Sequence, residues 1–351
     1  MRSLPEADAS ASTIVDVLVP VAVDTAYSYR APPGAELAPG AFVGVPLGAR
    51  HATGVVWASR EGSGSNLKSV AAVRDWPPLS QPLRDFVDWV ARWTLSPRGM
   101  VLRMAIRAHE VIEPPAPKFA VVATGNLPAR MTDARSRVLA ALAASGSSVA
   151  KAALAERALC STGVVDGLIA DGALKPVALP PERIAADLDP DFRRTALSED
   201  QKPAADDLAA RVAARAFSVT LLEGVTGSGK TEVYFEAVAE ALRQGRQALV
   251  LLPEIALTAQ FLDRFAARFG ARPAEWHSAL SERQRERIWA AAASGEARIV
   301  AGARSALFLP FADLGLIVVD EEHEGAYKQE EGVIYNARDM AVVRARFEKA
   351  P

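Results

Sequence analysis

The sequence predicts an α/β protein in which a parallel-sheet P-loop NTPase lobe follows a small β-barrel-like module and a winged-helix segment. Helical and strand-like patterns alternate from Ala196 to Pro351, as in a βαβ sheet. A glycine-rich loop lies between one such strand and helix. Short β-type runs separated by proline and glycine turns fill the start of the chain. We predict domains over residues 1–112, 113–190 and 191–351.

The first module is predicted from four short runs with strand composition. Turn-forming prolines and glycines, such as Pro32-Pro33-Gly34, separate these runs. Small β-barrels of this kind often bind the ends or single strands of nucleic acids, although a fold alone does not establish a function. The predicted strands are Ile14–Val19, Ala26–Tyr29, Ala41–Val45 and Ala52–Trp57.

A helix with a broad apolar stripe is predicted from Leu83 to Trp93. The stretch from Arg92 to His109 then contains four arginines and no acidic residue, which indicates a surface that could contact phosphates. The alternative is an ordinary solvated surface. These arginines are Arg92, Arg98, Arg103 and Arg107.

The middle of the chain begins at a stiff proline-rich boundary, Glu113–Pro117. Three helical patterns and a short β segment follow, an order that predicts a winged helix. The third helix has no arginine or lysine, so packing against protein is favoured over reading of bases. The patterns cover Asp133–Ala144, Val149–Ala158, Ser161–Asp171 and Leu174–Leu179.

The glycine-rich loop fits G-x-x-x-x-G-K-[ST] and lies between the apolar run Phe217–Leu222 and the helical run Val233–Arg243. Its backbone N–H groups would form a nest for a triphosphate at a helix N-terminus. Lys230 would reach the β- and γ-phosphates, and Thr231 would ligate Mg²⁺. The alternative is a flexible turn between a strand and a helix. The loop residues are Gly224, Val225, Thr226, Gly227, Ser228, Gly229, Lys230 and Thr231.

A second apolar strand, Leu314–Val319, ends in the acidic sequence Asp320-Glu321-Glu322-His323. Acids at the carboxyl end of a parallel strand lie beside the phosphate loop. Asp320 would hold Mg²⁺, and Glu321 would orient or deprotonate the attacking water. The alternative is a charged loop that caps a core strand. Between the two motifs, the pattern predicts strands Ala248–Leu252 and Arg298–Ala301 and helices Ala256–Phe269 and Ser281–Ala293.

Composition limits the class of protein. The 351 residues carry a formal net charge of −2, so a nucleic-acid surface would be local. The one cysteine, Cys160, excludes a disulfide framework or a cysteine-based zinc cluster within the chain. No apolar run is long enough for a membrane span, and no signal peptide is evident. A cytoplasmic protein is therefore expected.

The motifs of the last third resemble the PriA family of replication-restart helicases, in superfamily 2. The resemblance implies a recA-like helicase lobe, an ATP- and Mg²⁺-dependent 3′→5′ DNA helicase, and primosome assembly at stalled forks. It also implies single-stranded-DNA-binding protein and primosome loaders as partners, no membrane, and a monomer. The motifs are Gly224–Tyr234, Leu252–Thr258, His277-Ser278, Gly302–Phe308, Asp320–Glu324 and Tyr327–Asp339.

Roles for individual residues follow from the same resemblance. Gln201 would contact the adenine, and His323 completes the acidic box. Loops at strand ends would grip the DNA backbone through Pro253, Glu254, Thr258, Gly302, Arg304 and Ser305. An aromatic-rich loop with Tyr327, Lys328 and Tyr335 would couple DNA binding to hydrolysis by base stacking, with a packed loop as the alternative.

The β module resembles the family's domain for the 3′ end of a DNA strand, with Tyr27, Ser28, Gly48 and Lys68 in the pocket. The family pattern has Phe-Asp where this chain has Tyr27-Ser28, so an acceptor for the terminal hydroxyl is missing. The chain also stops before the family's second lobe and its zinc-binding cysteines. We therefore expect a fragment that binds DNA but does not unwind it, with a non-catalytic fork-binding or primosome-assembly module as one alternative and a P-loop ATPase unrelated to nucleic acid as another.

Overall fold

A computed structural model describes most of the chain in two compact units. One unit combines Met1–Val111 with Ile184–Pro351, and the other is Ile112–Arg183. Among the described residues, no helix has the length and apolar character needed to cross a membrane. The described residues are 12–62, 66–106, 119–146, 148–178, 185–253 and 258–351.

The start of the chain forms an antiparallel five-stranded sheet in the order β2-β1-β4-β3-β5. Valines on alternate positions of the strands fill its interior, because successive side chains of a strand point to opposite faces. A bridge between Arg30 and Ser69 joins β2 to the segment before β5, so the sheet closes on itself. The barrel-like prediction is confirmed. The strands are β1 Ser12–Leu18, β2 Tyr27–Arg30, β3 Phe42–Leu47, β4 Arg50–Gly62 and β5 Ala72–Val73.

Two helices follow the barrel: α1 Gln81–Thr94 and α2 Arg98–Ala105. Ser80 caps α1 by accepting the N–H of Leu83 at 3.4 Å. The predicted apolar stripe of α1 is correct for its first turns but wrong at its end, since Trp93 is 69% exposed and stacks on Trp89. The apolar pattern of a helix does not show where the helix extends past the surface on which it packs, and the last turn of α1 extends past that surface.

The second unit has three helices and a small antiparallel sheet in the order β7-β6-β8. Val149-Ala150, predicted as the start of a helix, instead pairs with β6 as a strand. The helices pack on the sheet through Val138, Leu154, Val165 and Leu168. The winged-helix assignment stays a prediction. The elements are β6 Phe119–Ala123, α3 Asp133–Ser145, β7 Val149–Ala150, α4 Lys151–Arg157, α5 Thr162–Ala170 and β8 Leu174–Ala178.

The last part of the chain is built on a parallel sheet in the order β10-β11-β9-β12. Every residue of the central strand β9 is buried, as the apolar run predicted. The elements are α6 Gln201–Ala213, α7 Lys230–Arg243, β9 Gln247–Leu251, α8 Ala259–Phe269, β10 Ala274–Trp276, α9 Glu282–Ser294, β11 Ile299–Gly302, β12 Leu314–Val319, β13 Lys328–Gln329, β14 Tyr335–Asn336 and α10 Ala337–Glu348, with 3₁₀ turns at Arg304–Phe308 and Gly325–Tyr327.

One predicted strand is absent from this sheet. Phe217–Leu222 has no regular secondary structure and lies across a cavity from β12, with Val219 61% exposed and Leu221 67% exposed. On β12, the N–H of Ile317 instead donates to the carbonyl oxygen of Pro351 at 3.1 Å. The strand prediction for Phe217–Leu222 is therefore wrong for this structure, because an apolar run forms a strand only when a sheet edge pairs with it.

The barrel and the parallel-sheet lobe pack against each other. The indole N–H of Trp289 on α9 donates to the carbonyl oxygen of Ala105 at 2.7 Å, and its ring meets Phe42 and Trp76 edge to face. On the other side, the fully buried guanidinium of Arg344 on α10 lies 5.5 Å from the centre of the Phe86 ring. These contacts place the barrel and the lobe in one compact unit.

Candidate functional site

The phosphate loop enters α7 through two glycines in the left-handed region, Gly227 with φ 83° and Gly229 with φ 80°. The ammonium group of Lys230 donates to the carbonyl oxygen of Gly224 at 2.7 Å. The lysine therefore spans the mouth of the loop and holds it closed on itself. A phosphate oxygen in place of this carbonyl oxygen would accept a charge-assisted hydrogen bond from Lys230. The Lys230 ammonium group is therefore already placed to bind a phosphate.

Gln201, at the first position of α6, contacts the same loop. Its amide N–H donates to the carbonyl oxygen of Ser228 at 2.7 Å, and its Oε1 accepts the N–H of Ser198 at 2.9 Å. A Cβ at Gly229 would lie 2.4 Å from the Gln201 amide nitrogen, so only glycine permits this approach. The side chain is thus positioned against the loop, and both ends of its amide are occupied by protein.

The acidic box follows β12. Oδ1 of Asp320 accepts the N–H of Glu321 at 3.0 Å, and Oδ2 accepts the hydroxyl of Tyr234 at 2.9 Å. Glu321 has φ 49°, a left-handed conformation that turns the chain sharply after the strand. Nε2 of His323 lies 3.6 Å from Oε2 of Glu321. Two hydrogen bonds therefore fix the orientation of the Asp320 carboxylate.

The structure brings the two motifs together. Gly224 and Lys230 from the loop line one cavity of about 740 Å³ with Asp320, Glu321 and His323 from the box. The cavity lies at the carboxyl end of β12, where ligands bind in open parallel sheets. It is large enough for a small-molecule ligand, and its charged groups stand at one end of an apolar floor.

The residues fit a magnesium ion held jointly with a nucleotide. The hydroxyl of Tyr234 donates to Oδ2 of Asp320, and the Thr231 side chain lies near the same phenol, so both predicted metal ligands lie close to Tyr234. Among the described residues, no group of three or more His, Cys, Asp or Glu side chains could hold a metal alone. Mg²⁺ takes few protein ligands when phosphates and waters supply the rest, so these two observations agree.

Tyr234 is the residue of this site that sequence reasoning missed. It follows Thr231 by three positions, which places both on one face of α7, and that spacing was the available signal. Burial and the neighbouring Asp320 carboxylate raise the pKa of the Tyr234 hydroxyl well above its ordinary value. The phenol therefore stays protonated and acts as a donor to Asp320.

A second groove of about 420 Å³ opens at the carboxyl ends of β9 and β11, and Pro253, His277, Arg304, Ser305 and Tyr327 line it. The Arg304 guanidinium donates to the carbonyl oxygens at residues 326 and 328, at 3.1 and 2.8 Å. The Ser305 hydroxyl accepts the indole N–H of Trp276 at 3.0 Å. Three of the residues predicted to contact a DNA backbone thus share one groove.

The other predicted backbone contacts are placed differently. Thr258 caps α8 by accepting the N–H of Phe261 at 3.3 Å. A Cβ at Gly302 would lie 2.6 Å from the carbonyl oxygen of Trp276, so this glycine serves close packing of β11 on β10. Glu254 lies outside the described residues, as does the predicted start of α8.

The aromatic-rich loop is packed rather than open. Tyr327 is 1% exposed and Tyr335 is 5% exposed, so neither ring can stack on a base in this arrangement. The stacking interpretation is wrong for these two rings, and the packed-loop alternative holds. The Tyr327 hydroxyl lies 2.6 Å from the carbonyl oxygen of Asp320 and 3.0 Å from that of Leu251. Lys328 is exposed and pairs with Glu330 at 2.8 Å.

The residues predicted for the 3′ end lie on the barrel. Tyr27 and Ser28 are on β2, Gly48 is in the turn between β3 and β4 with φ 62°, and the carbonyl oxygen of Lys68 accepts the N–H of Arg30 at 2.9 Å. The Ser28 hydroxyl is bound to a residue that sequence reasoning did not select. That residue is Asp16 on β1, 2.6 Å away.

The predicted arginine face is only partly available. Arg92 is exposed, but Arg98 lies 3.6 Å from the carboxylates of both Asp24 and Asp88. Arg107 lies outside the described residues. Ion pairing of Arg98 lowers the local positive charge, which weakens the interpretation of this stretch as a continuous phosphate-binding face.

Comparison with known proteins finds two family models that match separate parts of the chain. A family model for a 3′ DNA-binding domain matches residues 16–107, and one for a DEAD/DEAH box helicase matches residues 201–347. Replication restart protein PriA of Rickettsia conorii is 33% identical over 341 residues, which cover 96% of this chain and 41% of the relative.

Other relatives carry the same description. Replication restart protein PriA of Bacillus subtilis is 39% identical over 211 residues, 59% of this chain and 26% of the relative. The PriA protein of Haemophilus influenzae is 51% identical over 130 residues, 37% of this chain and 18% of the relative. The chain thus spans at most about two-fifths of the length of these relatives. With a 3′ DNA-binding domain followed by a DEAD/DEAH box helicase domain, the chain belongs to the PriA family of replication restart proteins.

Proposed function

We propose that the chain supplies the DNA-binding domains and first ATPase lobe of an ATP-dependent 3′→5′ DNA helicase that restarts replication. The observation that carries this proposal is the single cavity that holds Lys230 of the phosphate loop together with Asp320 of the acidic box. A nucleotide triphosphate needs both a phosphate cradle and a metal carboxylate within reach.

The residues divide the work as follows. Lys230 leaves the carbonyl oxygen of Gly224 and binds the β- and γ-phosphates, while the N–H groups of the loop hold the remaining phosphate oxygens. Thr231 and Asp320 would hold Mg²⁺, which would supply positive charge beside the phosphates. Glu321 would orient the attacking water and accept its proton, and Nε2 of His323 lies 3.6 Å from Oε2 of Glu321.

DNA would lie in the groove lined by Arg304 and Ser305. Tyr327 lines the same groove and reaches the carbonyl oxygen of Asp320, so one side chain touches both the groove and the strand that carries the metal carboxylate. Movement of the loop that carries Tyr327 when DNA binds would therefore change the position of Asp320. Coupling of this kind needs a shared element with two arrangements, and the Gly325–Tyr327 turn is the candidate.

The site of action is a stalled fork, where the barrel binds the 3′ end of a strand and the lobe moves on DNA toward primosome assembly. Single-stranded-DNA-binding protein and primosome loaders are the proposed partners, with the protein acting as a monomer.

Lys230→Ala in the complete protein tests the proposal. Without the ammonium group, DNA-stimulated ATP hydrolysis should fall to background, because the phosphates lose their main charge-assisted contact. Lys202→Ala on the exposed face of α6 is the matched control and should retain turnover. Unchanged turnover of the Lys230 variant would show that the cavity does not hydrolyse ATP.

A non-catalytic fork-binding or primosome-assembly module is the second candidate. The observation that favours it is that Lys230 and Gln201 both bond to protein atoms of the loop itself. Nucleotide binding without hydrolysis in the complete protein, together with tight fork binding, would support this module. A P-loop ATPase unrelated to nucleic acid is the weakest candidate, because the chain matches a 3′ DNA-binding domain and a helicase domain. Nucleotide binding and ATP turnover that do not change when DNA is added would favour that candidate.

A further inference from the structure

Tyr234 lies between the two motifs of the nucleotide site, on the inner face of α7. Its side chain is 5% exposed, and its ring meets Phe235 edge to face at 5.3 Å. Packing of this kind leaves the ring a single position. The hydroxyl is thereby aimed at the carboxyl end of β12, where it meets Asp320.

The phenol of Tyr234 links the two motifs. It donates its one proton to Oδ2 of Asp320 at 2.9 Å. Thr231 precedes Tyr234 by three positions, so its side chain lies on the same face of α7, near the same phenol. The position of the Asp320 carboxylate relative to the helix of the phosphate loop is therefore set by one rigid side chain.

Asp320 keeps capacity for a metal in this arrangement. Its Oδ1 accepts the N–H of Glu321 at 3.0 Å and its Oδ2 accepts Tyr234. Each carboxylate oxygen has two lone-pair sites, so one site on each oxygen stays available. The carboxylate is thus oriented before any metal arrives, which removes the cost of ordering it on binding.

We propose that Tyr234 is a positioning residue that fixes the Asp320 carboxylate relative to the helix of the phosphate loop, for a magnesium ion bound to a nucleotide. The proposal rests on the nucleotide site proposed above. Partners that orient metal ligands through a hydrogen bond typically change metal affinity by about 10- to 100-fold when removed. Tyr234 bonds one of the two predicted ligands, so its effect should fall at the lower end of this range.

The test uses the 351-residue chain and Tyr234→Phe, which retains the ring and removes only the hydroxyl. ADP binding is measured by calorimetry with Mg²⁺ and with EDTA. We expect the variant to lose about tenfold in affinity with Mg²⁺ and to match wild type with EDTA. Tyr29→Phe is the matched control, because its buried hydroxyl donates to the carbonyl oxygen of Pro46 in the barrel, and its ADP affinity should not change.

Asp320→Asn supplies a second readout that a purely structural role would not affect. In an Asp320→Asn background, Tyr234→Phe should cause no further loss of Mg²⁺-dependent affinity, since the metal carboxylate is already absent. Thermal melting of each variant confirms that the chain remains folded. A loss that is equal with Mg²⁺ and with EDTA would overturn the positioning role, as would a loss that persists in full in the Asp320→Asn background.

The outcomes separate this role from the nucleotide site itself. If the wild-type chain binds ADP more tightly with Mg²⁺ and Tyr234→Phe behaves identically, only the role of Tyr234 is overturned. If the wild-type chain binds no ADP under either condition, the nucleotide site fails and the role of Tyr234 fails with it.

Discussion

The hydroxyl of Ser28 donates to Oδ1 of Asp16 at 2.6 Å, across two antiparallel strands in which these residues are direct partners. The Arg60 guanidinium also bonds the Asp16 carboxylate and lies 3.2 Å from the Ser28 hydroxyl. The barrel therefore has an acid beside position 28, although the sequence has none at that position. A carboxylate there can accept a terminal hydroxyl and repel a phosphate.

We predict that Asp16→Ser removes the preference for a 3′-hydroxyl over a 3′-phosphate end, because both ends then meet only hydroxyls and Arg60. The loss should be about tenfold in the ratio of the two dissociation constants, the size of a charged hydrogen bond. Fluorescence anisotropy with matched oligonucleotides measures it. Glu61→Gln, an exposed acid on β4, is the control.

Exchange of the two residues tests the assignment directly. Asp16→Ser combined with Ser28→Asp moves the carboxylate to the neighbouring strand, so the preference should return. A double variant no better than Asp16→Ser, or a wild-type chain with equal affinity for both ends, would contradict the assignment.

The buried ion pair of α10 gives a stability prediction. Arg344 is fully buried, and its guanidinium lies 2.7 Å from Oε1 of Glu348, whose side chain is 7% exposed. Glu348→Ala leaves a buried charge without its partner and should lower the free energy of unfolding by about 3–5 kcal/mol. Urea unfolding followed by circular dichroism measures it.

Two further variants make that prediction specific. Arg346→Ala removes an exposed arginine from the same helix and should change stability by less than about 0.5 kcal/mol. Arg344→Met with Glu348→Leu removes both charges and should be less destabilised than Glu348→Ala alone. A double variant that is the least stable of the set would show that the pair itself contributes most of the stability.

Asp191 gives a prediction about pH. Hydrogen bonds from Arg243 and Arg194 lower the pKa of this carboxyl from 3.8 to about 2. A depressed folded-state pKa means that the stabilisation is complete above about pH 5 and is lost as the pH falls through 3.8 toward 2. The unfolding midpoints of wild type and Asp191→Asn should therefore differ at pH 6 and converge only below about pH 2.

An NMR titration of the Asp191 side-chain carboxyl carbon checks the same value directly. A midpoint near 3.8 in the folded chain would contradict the two arginine contacts, as would a difference between the variants that grows in acid. The contacts join the segment before α6 to the end of α7, so the pH effect reports on that junction.

Sequence patterns predicted the parts of this structure that local chemistry determines. The β12 strand before Asp320 follows from an apolar run, and the turn into α7 follows from glycines at φ values that other residues avoid. The meeting of Lys230 and Asp320 follows because ligands bind at the carboxyl ends of parallel strands.

Contacts between distant segments were beyond sequence reasoning. Tyr327 was expected to be open to DNA, but its hydroxyl lies within hydrogen-bond distance of the carbonyl oxygens of Leu251 and Asp320. No local sequence pattern predicts these contacts. Asp16 and Tyr234 were missed for the same reason, since their importance depends on partners 12 and 86 positions away. The periodicity of apolar residues identifies the buried face of a helix or strand. It does not identify the atom with which a buried hydroxyl forms a hydrogen bond.

The segment Phe217–Leu222 gives the last prediction. Its exposed side chains Val219 and Leu221 face the cavity whose opposite wall is β12, including Leu316 and Val318. Exposed apolar groups beside an edge strand favour pairing, because pairing buries them and satisfies the backbone, here with displacement of the Pro351 carbonyl oxygen from Ile317. Nucleotide in the adjoining loop would order the residues just after this segment, so we expect it to pair with β12 when MgADP binds.

Hydrogen exchange measured by mass spectrometry tests this directly. Amides of residues 217–222 should exchange on the order of tenfold more slowly with MgADP than without it, as expected when a local opening becomes costlier. Peptides from α5 in the other unit should be unaffected, and Lys230→Ala should abolish the protection because the loop then binds no phosphate. Identical exchange with and without MgADP, under conditions where calorimetry shows the site filled, would mean that the segment stays outside the sheet and that β12 is completed by another part of the protein.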